Sequence, residues 1–338
     1  MQPTNQEAQN FLVRIATGYR LSQMLYVAAS LGIADLLAAG PKSCADLAQS
    51  TGTHASSLHR ALRALAGAGI FREEADGQFA LTALAEPLRS DVPGSVRDYA
   101  IMQGQEWLWD AWGRAMHSVQ TGDPAFSELH GMSIFSYLER HPDAATVFNA
   151  GMTSRAASAD VSAAHVFDFS SARMIVDVGG GHGALLSTIL QAYPAARGVL
   201  LDRPAVVAGA RERMTAAGVA DRCEVIGGDF FASVPAGGDC YVLSNVIHDW
   251  DDRSASAILR NCAGAMANGG RVLVIEAVLP TGNDPHPGKI ADVQMLVLTG
   301  GRERTEREFR TLLNASGFMS TRILPTPSVV SIIEGKLE

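Results

Sequence analysis

A chain of 338 residues has room for two domains or one large one, and with 47% hydrophobic residues it can bury a full core, which excludes disorder. The formal net charge of −8 excludes nucleic acid and acidic membrane surfaces as expected partners, because both call for a basic face. Lysine is confined to Lys42, Lys289 and Lys336 while Arg and Ala abound, the mark of a GC-rich genome. Cys44, Cys223, Cys240 and Cys262 are scattered with no C-x-x-C pair and read as reduced core residues. No apolar stretch approaches membrane-spanning length and MQPTNQEAQN has no signal-peptide profile, so a soluble, cytoplasmic protein is expected.

The N-terminal half reads as helices. From Phe11 to Leu37 apolar residues recur at helical spacing: Phe11, Ile15, Tyr19, Leu25, Ala29, Ile33, Leu36. Next come a helix over Cys44–Ser50, a turn at Gly52 and a helix over Ala55–Gly67. Ile70-Phe71, a turn at Asp76-Gly77 and Phe79–Leu81 then complete a winged helix-turn-helix. Its second helix carries His59, Arg60 and Arg63, which suits a DNA-binding regulator with a nucleotide-sensing domain. The wing, however, reads Arg72-Glu73-Glu74-Ala75-Asp76, acidic where phosphates would lie. A scaffold or dimerisation surface is the better reading. Residues 93–165 continue helical, with Trp107, Trp109 and Trp112 close together and a second apolar series at Phe135, Leu138, Phe148 and Met152, suited to core or pocket.

From Ala172 strands and helices alternate. Strands are predicted at Arg173–Val178, Gly198–Asp202, Cys223–Gly227, Cys240–Asn245 and Arg271–Ala277, with helices near Leu185, Val207 and Ile258, which means a doubly wound parallel sheet. The final runs, Met319–Leu324 and Val329–Ile333, are joined by Pro325-Thr326-Pro327, too short for a crossover, and should pair antiparallel at the sheet edge.

The first of these strands runs into IVDVGGGHG at Ile175–Gly183. Glycines there let the backbone turn sharply and approach a ligand. Asp202, at the end of the next strand, suits a ribose hydroxyl. Gly179, Gly181 and Ala184 satisfy the G-x-G-x-x-G/A dinucleotide pattern, so NAD is one candidate. A pyrophosphate repels carboxylates, whereas Asp177 precedes the loop and no Lys or Arg lies within it. S-adenosylmethionine (SAM), cationic and without phosphate, fits better.

Polar residues mark the ends of successive strands: Asp177, Asp202, Asp229, His248, Glu276. That edge is where open α/β sheets bind ligands. Asp229 and Phe230 would contact adenine, although Asp229 also suits a turn. His248, in LSNVIHDWDD, is a candidate general base, since imidazole titrates near neutral pH while a phenol of pKa ~10 must lose its proton to become a good nucleophile. Glu276 could accept from the other ring nitrogen and fix the tautomer. Asp249, Asp251 and Asp252 suit either Mg²⁺ or, more simply, the cap of a helix starting near Ser254.

These motifs together resemble the SAM-dependent small-molecule O-methyltransferases, which include plant caffeate and isoflavone enzymes and bacterial antibiotic-tailoring ones. The match runs in order through the winged helix ending in Leu81-Thr82, DVGGGHG at Asp177–Gly183, LDRP at Leu201–Pro204, GDFF at Gly228–Phe231, HDWDD at His248–Asp252 and GGRERT at Gly300–Thr305. It covers nearly the whole chain. The resemblance implies a mainly helical winged-helix dimerisation domain (1–95), a helical linker and pocket segment (96–165) and a Rossmann-like methyltransferase domain with an antiparallel last strand (166–338). It makes His248 the base with Glu276 and Glu303 flanking it, and places SAM, or its product S-adenosylhomocysteine, on Asp177, Gly179, Gly181, Asp202, Asp229, Phe230 and Ser244. Ser244 departs from the pattern, since plant members commonly have Lys there. Phe148, Met152 and Met295 fall where relatives line the pocket of a hydroxylated aromatic acceptor, with Asp249 beside them. A homodimer, no metal, no nucleic acid and no membrane are implied. A few relatives keep the fold and SAM but hydroxylate or decarboxylate; the His248–Glu276 pair argues for methyl transfer.

Overall fold

In a computed structural model, residues 4–337 are described, save for the side chains of residues 157–161 and Ser320. The chain divides into two compact units, Met1–Trp109 with Ala150–Ser154 and Asp110–Asn149 with Arg155–Glu338, so residues 96–165 are shared between them.

The first unit begins with α1 (Asn5–Ser30), started by a capping box in which Thr4 and Glu7 satisfy one another's backbone N–H groups. The helical stripe is not continuous to Leu37. Gly32, at φ 64°, ends the first helix and opens α2 (Ile33–Leu37), a left-handed turn that glycine makes without steric cost. There follow β1 (Lys42–Ser43), α3 (Cys44–Thr51), α4 (Ala55–Gly67), β2 (Phe71–Glu73), β3 (Gln78–Leu81) and α5 (Arg97–Gln103). The expected hairpin is a three-stranded sheet, because β1 also pairs with β3. Leu47, Leu58, Leu62, Leu65, Phe71 and Phe79 form its core, each burial contributing about 1.5–3 kcal/mol. His59 of α4 meets Glu73 of the wing at 3.0 Å, so the helix that would read DNA is engaged with an acid of its own domain. In α1 the stripe divides: Ala29 is buried, while Phe11, Ile15 and Tyr19 are 53%, 65% and 53% exposed.

A short helix, α6 (Glu106–Gly113), crosses the boundary between units. The second unit continues with α7 (Ala115–Thr121), α8 (Ala125–His130), α9 (Ile134–Arg140) and most of α10 (Pro142–Val166). The alternating part comprises β4 (Met174–Val178), α11 (Ala184–Ala192), β5 (Arg197–Asp202), α12 (Pro204–Val207), α13 (Ala210–Ala216), β6 (Cys223–Gly227) and β7 (Cys240–Ser244). It continues through α14 (Asp252–Ala265), β8 (Arg271–Leu279), α15 (Pro287–Leu298), β9 (Arg304–Thr305), α16 (Glu306–Ala315), β10 (Ser320–Pro325) and β11 (Val330–Lys336).

The eight-stranded sheet runs β10-β11-β8-β7-β4-β5-β6, with β9 beside β8. Strands β4 to β8 are parallel, and the final hairpin docks antiparallel through β11 on β8. Alternate residues serve two cores: Ile175, Leu200 and Val242 on one face, Val176, Leu201 and Leu243 on the other. From β4 the chain moves out to β5 and β6, then returns to β7 on the other side of β4. That reversal opens a crevice at the strand ends. Helices α15 and α16 and strand β9 fell outside the predicted elements, and they carry Met295 and position Glu303. No helix among the described residues is long and apolar enough to cross a membrane.

Candidate active site

Two loops flank the switch point, one after β4 and one after β7. In the first, Gly179, Gly181 and Gly183 have φ of 71°, 62° and 76°, a region costing an L-residue about 1–2 kcal/mol. A Cβ on Gly179 would lie 2.8 Å from Cγ2 of Val246, one on Gly180 would strike the Asp177 carboxyl group, and one on Gly183 would strike Met214. Gly181 faces open space, and its N–H donates to Oδ2 of Asp202 at 2.8 Å. The other oxygen of Asp202 accepts from the Arg203 N–H at 2.7 Å. Burial raises the Asp202 carboxyl above its ordinary range, opposed by these two N–H donors. Asp177 itself is buried beneath Gly180.

Asp229 is exposed and closes a turn, its Oδ1 accepting from the Phe231 N–H at 2.9 Å. Half-buried Phe230 borders the glycine loop, with Cε1 3.5 Å from where a Gly179 Cβ would sit. It also stands edge-on to Trp250, which stacks on Phe135 at 5.5 Å between centroids. This aromatic wall, with the Arg203 guanidinium over Phe135, was not foreseen from the sequence. Ser244 ends β7, its Oγ accepting from Nδ2 of Asn245 at 3.3 Å.

The second loop starts at Asn245, the sole non-glycine residue among those described with positive φ, at 53°. Such strain persists where neighbours over-determine the backbone. Nη1 of Arg155, from α10, donates to Asn245 Oδ1 at 3.3 Å. Beneath the loop, Oε1 of Glu276 accepts from the N–H groups of Val246 and His248 at 3.2 and 3.0 Å. The His248 ring is buried, with Nδ1 2.8 Å from Oε1 of Glu303 and Nε2 3.9 Å from Oδ1 of Asp249.

This corrects the expectation that Glu276 orients the imidazole. Because β8 lies directly beside β7, Glu276 emerges under the loop's backbone, whereas Glu303 approaches the ring from β9's leading end. Burial alone would lower the imidazole pKa, but the Glu303 hydrogen bond and the charges of Asp249, Glu276 and Glu303 raise it to about 9. Burial, reinforced by Glu303, raises Asp249 to about 6 and Glu276 to about 7. Of the remaining acids, Asp251 caps α14 through the Ser254 N–H at 2.7 Å, and Asp252 pairs with buried Arg304 at 2.8 Å. Met295 is buried on α15. Phe148 and Met152 are half-buried on α10, Phe148 within the second unit and Met152 within the first. Arg155 and Arg304 were not foreseen as site residues: nothing in the local context of Arg155 sets it apart from other arginines, and Arg304, although it lies in GGRERT, was given no role of its own.

A doubly wound sheet with a glycine loop and a buried acid at its switch point, beside an imidazole held by a carboxylate, is the arrangement of a SAM-dependent methyltransferase. Residues 112–319 match the O-methyltransferase domain and residues 13–91 the O-methyltransferase dimerisation domain, and the chain belongs to this family. It is 49% identical over 330 residues to the phenazine O-methyltransferase PhzM of Lysobacter antibioticus, covering 97% of this chain and 96% of that protein. It is 37% identical over 335 residues to the phenazine-1-carboxylate N-methyltransferase of Pseudomonas aeruginosa, covering 98% of each. The crystal structure of LaPhzM superposes with a TM-score of 0.94 at 47% identity, over 98% of this chain and 99% of that one. CalO1, a methyltransferase of calicheamicin biosynthesis solved with S-adenosylhomocysteine bound, superposes with a TM-score of 0.87 at 38% identity over the whole of both chains. SAM is therefore the cofactor, and the NAD alternative falls.

Proposed function

We propose that this enzyme methylates a phenolic hydroxyl of an aromatic natural product, with His248 as general base and no metal. The observation carrying this reading is the His248–Glu303 contact of 2.8 Å, which engages Nδ1 and leaves Nε2 to take a proton. The donor set fits SAM: acids surround the loop, Gly181 faces open space, and Lys and Arg are absent from residues 177–183. Asp202 would hold the ribose, Phe230 and Asp229 the adenine, and Gly179 and Gly181 the chain between, with Asp177 bracing the loop from below and Ser244 beside it. Arg155 would meet the methionyl carboxylate, the one negative group of this cofactor. SAM supplies a methyl group already activated by its sulfonium. Phe148, Met295 and Asp249 would receive the acceptor, whose hydroxyl proton passes to Nε2. In the free protein the acids around His248 favour imidazolium; a cation placed beside the ring works against that and favours the base.

Relatives named for phenazine, mitomycin and aminohydroxybenzoate methylation support a flat aromatic acceptor from natural-product biosynthesis. The Pseudomonas relative is named for N-methylation, and that is the second reading here. Incubation with hydroxyphenazines and hydroxynaphthoates, with the product's methyl position assigned by NMR, separates the two. An aromatic ring nitrogen has no proton to lose, so an N-methylated product formed equally well by His248→Ala would remove the base mechanism. EDTA should leave turnover unchanged, since Asp251 and Asp252 are engaged by α14 and Arg304. Exposed Phe11, Leu12, Val13 and Ile15, at the start of the dimerisation domain, support a homodimer. Sedimentation as a monomer at micromolar concentration would count against it.

A further inference from the structure

The loop that carries His248 makes few hydrogen bonds to itself and many to groups distant in sequence. On one side Glu276 takes the N–H groups of Val246 and His248. On the other, residues 301–304 take the carbonyls. The Arg302 N–H donates to the His248 carbonyl at 2.8 Å. Arg304, fully buried, donates from Nη1 to the Ile247 carbonyl at 3.2 Å and from Nη2 to the Trp250 carbonyl at 2.9 Å. Its Nε donates to Oδ1 of Asp252 at 2.9 Å, at the start of α14. Gly301 lies so close to the His248 carbonyl and the Asp249 backbone that a Cβ would overlap them. Glu303, in the same short run, holds Nδ1 of the imidazole, and its own N–H donates to Oδ1 of Asp292 at 2.8 Å.

We infer that Arg304 is a positioning residue: with Gly301 it clamps the 247–252 backbone to the strand that delivers Glu303, and so fixes the register between the His248 ring and its carboxylate. The inference rests on the reading of His248 as base. A planar guanidinium is needed, because its fixed fork reaches two carbonyls and a carboxylate at once, whereas an ammonium on a flexible stem concentrates its donors at one point. Burial adds to the requirement, since a lost donor would leave carbonyls unpaired away from water.

The test compares Arg304→Lys and Gly301→Ala with the full-length enzyme, reading kcat, the KM for acceptor, the affinity for S-adenosylhomocysteine and the pH profile of kcat. A 1 Å misplacement of a catalytic group costs about 10²-fold in rate, and that is the expected fall in kcat. Binding of S-adenosylhomocysteine should stay within about twofold, because the glycine loop makes none of these bonds. The acid limb of the profile should move down by about one pH unit as the imidazole loses its close carboxylate. In a His248→Ala background, Arg304→Lys should cause no further loss of kcat. A folded Arg304→Lys enzyme with unchanged kcat and limb overturns the inference. So does a fall in kcat matched by lost S-adenosylhomocysteine binding with the limb unmoved, which marks mere scaffolding. Should Arg304→Lys fail to fold, Gly301→Ala decides by the same criteria, as it disturbs the clamp while leaving the buried guanidinium in place. Full activity of His248→Ala alone would instead sink the base reading and this inference with it, an outcome distinct from an active Arg304→Lys beside a silent His248→Ala.

Discussion

The glycine loop after β4 and the histidine loop after β7 face one another across the switch point, and they are held differently. Residues 179–183 turn on three left-handed glycines, start α11 without a side-chain cap, and anchor the N–H groups of Gly179, Gly180 and Gly181 on one place only, Leu201 and Asp202 at the end of the adjacent β5. Residues 245–252 contain no glycine, and their shape comes from Glu276, Arg302, Glu303 and Arg304, each more than twenty residues away in sequence. A loop that turns on glycines and rests on one adjacent strand end depends on little else, while a loop without glycine, held from β8 on one side and from residues 302–304 on the other, fails whenever either side moves. The chemistry sits on the second kind.

The largest expected effect falls on the remotely held loop. His248→Ala should lower kcat by about 10²–10⁴-fold, the contribution of a positioned base, while S-adenosylhomocysteine still binds in a calorimeter. Parallel loss of binding would mean that the two loops are not independent. Glu303→Gln should cost about 10²-fold, since the ring remains but loses its oriented acceptor. Because that carboxylate supports imidazolium, its loss should also shift the acid limb of the kcat profile to lower pH. Glu276→Gln should leave the limb closer to its original position, since Glu276 holds the loop's N–H groups and not the ring; an equal shift in both variants would restore the arrangement expected from the sequence.

On the glycine loop and its anchor the expected effects are smaller and of another kind. Asp202→Ala should weaken S-adenosylhomocysteine by about 1.5–3 kcal/mol, the range for a hydrogen bond to a charged group, with the pH limb of kcat unmoved. The smallest effect is on stability. His248 has a folded-state pKa of about 9, above its ordinary 6.5. Its contribution to stability is therefore complete below pH 6.5 and lost as pH rises through 9, because the native state holds the proton more tightly. The melting temperature should decline across that window and decline less in His248→Ala, as measured by thermal unfolding in matched buffers. A steeper decline in the variant would show that other groups set the slope.

The sequence by itself determined the parallel strands, the antiparallel final pair, the winged helix and the glycine loop. Each depends on a signal that adjacent residues carry: alternating apolar runs, a linker too short for a crossover, or glycines where the backbone must turn left-handed. It also named His248 and Glu276 from their places at strand ends, and Glu303 through resemblance to a known family. The tertiary structure decided which carboxylate serves the ring. That depends on β8 lying beside β7 and on β9 reaching the far side of the loop, relations between segments that sequence spacing does not encode. The same holds for Arg304 and Arg155. An arginine's chemistry is identical in every sequence context, and only the fold determines whether its guanidinium is exposed to water or buried against the carbonyls of a catalytic loop.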